Sequence, residues 1–439
     1  MSAGPGAVVV SEPPAKPPRF RGLGAGYWKL WSASVISNLG DGIAQIAYPW
    51  LASLLTRNPA LIAGVAVAQR LPWLLFSLHA GAIVDRGDRR LLMIWMNGAR
   101  FVVTAGVTVA VALDVMVIPA LYAAALVLGA AEVIYDNSAQ TILPRLVPKS
   151  RLERANGNLW GAELIMNQFV GPPLGGFLIA LAIAVPFAGN AATFGISALL
   201  MVWIAGTFRA PAAAADVAAP RRPMRAEIAE GLRWLWGHRL IRTLAILLGV
   251  MNGMGAMMLA TEVLFVQEIL GLGPRGFGLL ATASALGGIL GSQVAADITR
   301  RIGSGPSLYL TLGGGAVTAA VIGSTSNAFV VGAMFAVYMF TAVLWNVITV
   351  SLRQSIIPDH LLGRVNSVYR FFGWGMMPLG ALLGGLLVTL AEPVAGRELA
   401  LRSPFFVSAA VHLVALLAAV GRLSTSRIEA AKAAADTGD

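Results

Sequence analysis

Twelve uninterrupted apolar runs, each 18 residues or longer, recur along the 439-residue chain. By number they are 28–55, 61–84, 91–113, 118–141, 156–182, 186–207, 240–270, 276–299, 306–323, 327–352, 364–391 and 402–422. A hydrocarbon core about 30 Å thick takes about 20 helical residues to cross, so runs of this length predict membrane-spanning helices. A transmembrane barrel needs short alternating segments instead, and a lipid-exposed backbone must satisfy its own hydrogen bonds, which a helix does. The rest of the composition agrees, with 57% hydrophobic residues and only 12% charged. The fold class expected is therefore all-α integral membrane, with twelve transmembrane helices.

Positive charge is distributed unevenly between the connecting segments. Of 32 Lys and Arg residues, 26 fall in the tails and the even-numbered connections, whereas the other loops hold Arg57, Arg275, Arg397 and Arg402. The positive-inside rule then places both termini in the cytoplasm. The net charge of +11 is thereby a topology signal, and no nucleic-acid partner is expected. Residues 1–27 form a Pro-rich tail without the apolar core of a cleavable signal, so the first helix must direct insertion. The chain has no cysteine, which excludes disulfides and thiolate chemistry, and its four histidines lack ligand spacing, so no metal site is expected.

An internal repeat appears at an offset of 210 residues. Pro148, Arg154 and Asn156 pair with Pro358, Arg364 and Asn366, Gly81 with Gly291, and Arg90 with Arg300. An even number of helices per copy makes the repeat parallel, about an axis along the membrane normal. The organisation predicted is a tail (1–27), a six-helix bundle (28–207), a linker (208–239), a second, pseudo-symmetric six-helix bundle (240–422) and a tail (423–439). Within the linker, an amphipathic helix is expected from Arg225, with Ile228, Leu232 and Leu235 on its apolar face, lying at the membrane interface.

Ionisable groups inside the bilayer are costly and therefore read as functional candidates. Asn38, Asp41 and Gln45 form a polar stripe at i, i+3 and i+7 on the first helix. Glu132 and Asp136 repeat the device on the fourth, Glu163 joins from the fifth, Asn252 and Glu262 from the seventh, and Asn346 from the tenth. Arg70 on the second helix matches the depth of Asp41 and is a candidate ion-pair partner. A carboxyl lining an apolar cavity can exchange protons near neutral pH, which is what proton-coupled exchange requires. Trp50, Trp160, Trp345, Phe371 and Trp374 fit packing or interfacial-belt positions better than a dedicated stacking site.

Five stretches carry a family resemblance. Gly81-x-x-x-Asp85-Arg86-x-x-Arg89-Arg90, in the short loop after the second helix, resembles the signature loop of the major facilitator superfamily; Asp88 stands where a Gly is usual. "SNLGDGIAQIAYPWL", "LPRLVPKSRLERANG" and "EGLRWLWGHRLIRTL" resemble the branch of that family containing macrolide-efflux proteins and enterobactin exporters. Gly171, Pro172, Gly175 and Gly176 fit the core of its antiporter motif, with Asn167 where a Gly is often found. The resemblance implies the major facilitator fold, with helices one, four, seven and ten around a central cavity. It also implies a latch in which Asp85 faces the segment around Arg364, and export driven by a proton gradient without a cofactor.

The expected function is secondary active transport of a bulky amphipathic small molecule, such as a drug, antibiotic or siderophore. The setting would be the bacterial cytoplasmic membrane, with protons and the lipid bilayer as the other partners and a monomer as the working unit. A lipid or lysophospholipid transporter of the same fold is the alternative. A polytopic enzyme or a non-transporting sensor is the alternative from another class, and no clustered catalytic set supports it.

Overall fold

The computed structural model describes residues 23–206, 208 and 224–437; residues 1–22, 207, 209–223 and 438–439 lie outside them. The elements are α1 (Ala25–Leu55), α2 (Pro59–Arg86), α3 (Arg89–Ala112), α4 (Ile118–Leu146), α5 (Leu152–Leu164), a π-helical turn (Ile165–Val170) and α6 (Gly171–Leu181). There follow α7 (Val185–Val202), α8 (Met224–Gly237), α9 (Arg239–Glu268), α10 (Pro274–Ile302), α11 (Ser304–Ser324), α12 (Ala328–Ile356), α13 (Asp359–Ala395), α14 (Arg397–Ala419) and α15 (Thr425–Thr437). The segment from α5 through α6 is one span. Eleven spans among the described residues are long and apolar enough to cross a membrane, and α1 is not among them. At 31 residues, roughly 46 Å, α1 is long enough, but Asn38, Asp41 and Gln45 lower its apolarity. It nevertheless packs along α6 and α7 as a twelfth span.

Short connections force neighbouring spans to run antiparallel, and local chemistry starts them sharply. Asn58 and Asn327 cap α2 and α12 by accepting from two backbone N–H groups each, and prolines open α2, α4, α7 and α10. His238 caps α9, its Nδ1 accepting from the Ile241 N–H at 3.3 Å while its ring stacks on Trp234. Burial pushes the His238 imidazole pKa below its usual value of 6.5. Protonation removes the accepting lone pair, so the cap's contribution is complete above the unfolded value and is lost as pH falls through the lowered folded one. Melting curves should therefore show a loss of about 1 kcal/mol on acidification below pH 6.5, and His238→Asn, which caps without titrating, should abolish that loss.

The spans form two groups. In the first, α3 packs on α7 and α4, α1 on α7 and α6, and α2 on α4; in the second, α9 packs on α13, α10 on α12 and α11 on α14. Two seams join the groups, α2 against α13 and α6 against α10. One face of the molecule bears the starts of α1 and α9 and the end of α14. On this termini face the buried apolar core is split, with Tyr27, Leu30, Met93 and Ile142 in the first group and Leu244, Leu308, Trp345 and Val365 in the second. On the opposite, far face a single core runs across both groups, from Trp50 and Leu51 to Phe265, Phe277 and Phe405.

Polar contacts seal the far face as well. Arg57 donates to Gln267 Oε1 at 2.5 Å, and Gln267 donates to Ser53 Oγ at 2.8 Å. Arg397 forks onto Glu268 at 2.8 and 3.0 Å and also donates to the Arg57 carbonyl. Arg57 follows α1 and Gln267 lies in the last turn of α9, so this contact ties the two groups together on the far face.

α8 differs in part from its expected orientation. Leu235 is fully buried and Gly231 abuts the Arg364 backbone, whereas Ile228, Leu232 and Trp236 are exposed. The apolar face thus turns only its Leu235 edge towards α13 and leaves Ile228, Leu232 and Trp236 outward. Glu230 pairs with Arg364 at 2.8 Å and fixes α8 to the start of α13.

Candidate functional site

The polar stripe on α1 faces into the first group and meets a second stripe on α3. Asp41 forms an ion pair with Arg100, which is 2% exposed. Arg100 also donates to Ser37 Oγ at 3.2 Å, and its guanidinium lies 3.9 Å from the Phe194 ring. Asn97, one turn before Arg100, donates to Ser197 Oγ at 2.8 Å, and Ser197 in turn donates to the Ala33 carbonyl. The expected pairing of Asp41 with Arg70 is therefore corrected. Matching depth brought Arg70 level with Asp41, but Arg70 sits on α2, where it is exposed and within electrostatic reach of Glu132.

Glu132 and Asp136 on α4 face this pair. Glu132 lies within Coulombic range of Asp41, Arg100, Arg70 and Glu163, and Asp136 within range of Glu132, Arg100, Glu163 and Asp41. Four carboxylates thus share two guanidinium groups, one of them already committed to Asp41. The surplus negative charge favours protons or cationic groups entering the cavity.

The π turn brings the fifth span into the same network. Asn167 Nδ2 donates to Asn38 Oδ1 at 2.9 Å, and Gln45 Nε2 donates to the Asn167 carbonyl at 3.2 Å. A π turn breaks the regular helical ladder, and such turns recur at functional sites. Asn38 and Gln45 therefore hold the irregular segment from either side of Asp41.

The second group supplies fewer charges. Asn252 donates to the Gly373 carbonyl at 2.9 Å and braces α9 against α13. Glu262 is half-buried further along α9, with no described charge acting on it. Asn346 is exposed on α12. Trp50 and Trp345 are buried packing residues, whereas Trp160, Phe371 and Trp374 are exposed.

The antiporter-motif glycines are sites of close backbone approach. A Cβ on Gly171 would lie 2.5 Å from the Gly42 Cα, and one on Gly175 would lie 2.8 Å from the Ile43 carbonyl oxygen. Gly176 faces the other seam, where a Cβ would come within 2.4 Å of the Pro274 carbonyl. The Pro172 carbonyl meets Gly278 on that same α10 helix.

Gly81, Asp85 and Arg86 fall within the last turns of α2 rather than in the loop after it; the Asp85 side chain, and with it the expected latch, lies outside the described residues, and Arg86 is exposed. Asp88 caps α3 and accepts from the Phe208 N–H at 2.9 Å, which pins the start of the linker. Arg90 donates to the Met201 and Val202 carbonyls at the end of α7 and to the Gly206 carbonyl beyond it, and Arg89 to the Thr141 carbonyl. These bonds stay within the first group.

Sequence reasoning missed Arg100 as the partner of Asp41. Its signal was present: Asn97, Arg100 and Thr104 repeat the i, i+3, i+7 spacing of Asn38, Asp41 and Gln45, and all three are buried.

The fold has counterparts among known proteins. The profile of a transmembrane secretion effector family matches residues 25–436. The multidrug efflux pump Tap of Mycolicibacterium fortuitum is 29% identical over 385 residues, covering 82% of this chain and 88% of that protein. Tap of Mycobacterium tuberculosis (strain ATCC 25618 / H37Rv) is likewise 29% identical, over 382 residues, covering 82% and 86%. Among solved structures, a mutant of the nucleoside transporter NupG aligns with a TM-score of 0.72 at 12% identity, covering 91% of this chain and 100% of that one. That likeness bears on the fold, which is the major facilitator fold. The chain accordingly belongs to the transmembrane secretion effector family of the major facilitator superfamily and is a membrane transporter rather than an enzyme.

Proposed function

We propose that the protein is a proton-coupled exporter of bulky amphipathic small molecules, drug-like or siderophore-like, working by alternating access with both termini in the cytoplasm. The observation that carries this reading is the Asp41–Arg100 ion pair, set among Glu132, Asp136 and Glu163 within one group of spans. In this reading an arriving proton is shared within the cluster and loosens the Asp41–Arg100 pair. Arg100 then interacts more strongly with Glu132 and Asp136, so protonation and substrate compete for the same charges. In this reading the split core on the termini face is the opening to the cytoplasm and the continuous core is the closed outer gate. The efflux pump Tap, related over most of both chains, supports the direction and the substrate class.

The test uses everted membrane vesicles with an acidified lumen, a quenching pH dye and a panel of lipophilic antibiotics and siderophores. Substrate-dependent alkalinisation is expected from the wild type and not from Asp41→Asn. Glu132→Gln should abolish the pH dependence of transport while substrate binding persists; persisting pH dependence moves the proton site to another carboxylate. An inserted, folded protein that gives no response across the panel would overturn the exporter reading in favour of a lipid substrate.

A further inference from the structure

An arc of aromatic rings and guanidinium groups lies where α2, α8 and α13 meet, outside the charged cavity. Trp73 of α2 and Trp374 of α13 approach to 5.8 Å between ring centroids, a contact that crosses from one group of spans to the other. One turn before Trp374, the exposed Arg370 places its guanidinium 5.6 Å from the same indole. Phe371 beside it is 62% exposed. Phe372 continues the arc to Trp236 of α8 at 6.3 Å, and Arg242 lies over that ring at 5.9 Å while donating to the Trp236 carbonyl.

The charge along this arc is unbalanced. Arg353, held by Asn366 Oδ1 at 2.9 Å and stacked on Tyr369, adds a third guanidinium within Coulombic range of Arg370. Among the described residues, none of Arg242, Arg353 and Arg370 meets a carboxylate. Arg370 lies eleven residues, roughly 16 Å, from the start of the 37-residue α13, a depth that suits the boundary between headgroups and acyl chains. Indole rings favour that boundary, and a guanidinium there binds phosphate well.

We propose that this seam binds the headgroup of an anionic phospholipid, with its phosphate against Arg370 and Arg242 and its chains along Trp73, Phe371 and Trp374. The apolar arc distinguishes a lipid from free phosphate, which would gain nothing from exposed rings. Because Trp73 and Trp374 belong to opposite groups, a lipid seated against both acts on the separation of those groups at the termini face. This inference stands apart from the transported substrate and from proton coupling.

Native mass spectrometry of the purified full-length protein, titrated with phosphatidylglycerol or phosphatidylcholine, tests it. Phosphatidylglycerol should bind more tightly than phosphatidylcholine, and Arg370→Gln and Arg242→Gln should each reduce that preference by roughly fivefold. Arg370→Lys keeps the charge and should retain most of it, which separates lost attraction from lost folding. Equal binding of the two lipids, or an undiminished preference in both Gln variants, would overturn the proposal. Displacement by inorganic phosphate as effective as by phosphatidylglycerol would also overturn it, in favour of a free-anion site.

Discussion

Replacing Arg100 with alanine is expected to abolish transport and to destabilise the protein by about 3–5 kcal/mol, because it leaves Asp41 charged and unpaired beside a packed interior. The guanidinium also holds Ser37 and lies against Phe194, so its loss opens a gap where α1, α3 and α7 converge. The double variant Asp41→Asn with Arg100→Gln removes both charges and should recover most of the melting temperature without recovering proton-coupled transport. Thermal unfolding in detergent, read beside the vesicle assay, separates the two effects. Near-normal stability and transport in the alanine variant would show that the pair is neither structural nor coupling.

Leucine at Gly176 or Gly385 should hold the far face open. A Cβ on Gly176 comes within 2.4 Å of the Pro274 carbonyl, and one on Gly385 within 2.8 Å of the Pro59 carbonyl and 2.5 Å of the Ala63 Cβ. These contacts lie in the two seams, so added bulk drives the groups apart there instead of disturbing one bundle. Overpacking costs about 1–3 kcal/mol, and at 1.4 kcal/mol per tenfold the open population rises by roughly five- to a hundredfold. The absence of cysteine makes the reading direct. Ser53, 1% exposed beneath Gln267, is replaced by Cys and labelled with a membrane-impermeant maleimide. Labelling should accelerate by that factor in Gly176→Leu and Gly385→Leu, and an unchanged rate in inserted protein would refute the seam assignment.

Much of the architecture was legible because helix spans are written in local sequence. Apolar runs located the spans to within a few residues. The glycines of the fifth span announced close packing, although which helix each one meets required the fold. The partner of Asp41 was misread because depth along a helix fixes only one coordinate. Arg70 and Arg100 both lie at accessible depths, and the face each helix turns towards α1 depends on packing among α1, α3 and α7. The π turn had no sequence signal, since it arises where Asn38 and Gln45 engage Asn167 across two spans. α8 was ambiguous for a different reason. Its apolar residues share one face, and only contact with α13 decides that the Leu235 edge of that face turns inward while Ile228 and Leu232 stay out.

The uneven core described above makes the two conformations of this transporter thermodynamically unequal. Apolar residues bridge the groups on the far face and are divided on the termini face, so parting the far face exposes buried surface with no matching gain already in place. In the alternating-access cycle proposed above, the opposite conformation is populated only by something that binds it better. Each tenfold difference in a ligand's affinity for the two states moves that balance by about 1.4 kcal/mol and no more. Tight binding alone therefore cannot drive the proposed cycle; a substrate or a proton would turn it over only to the extent that it prefers the conformation the empty protein avoids.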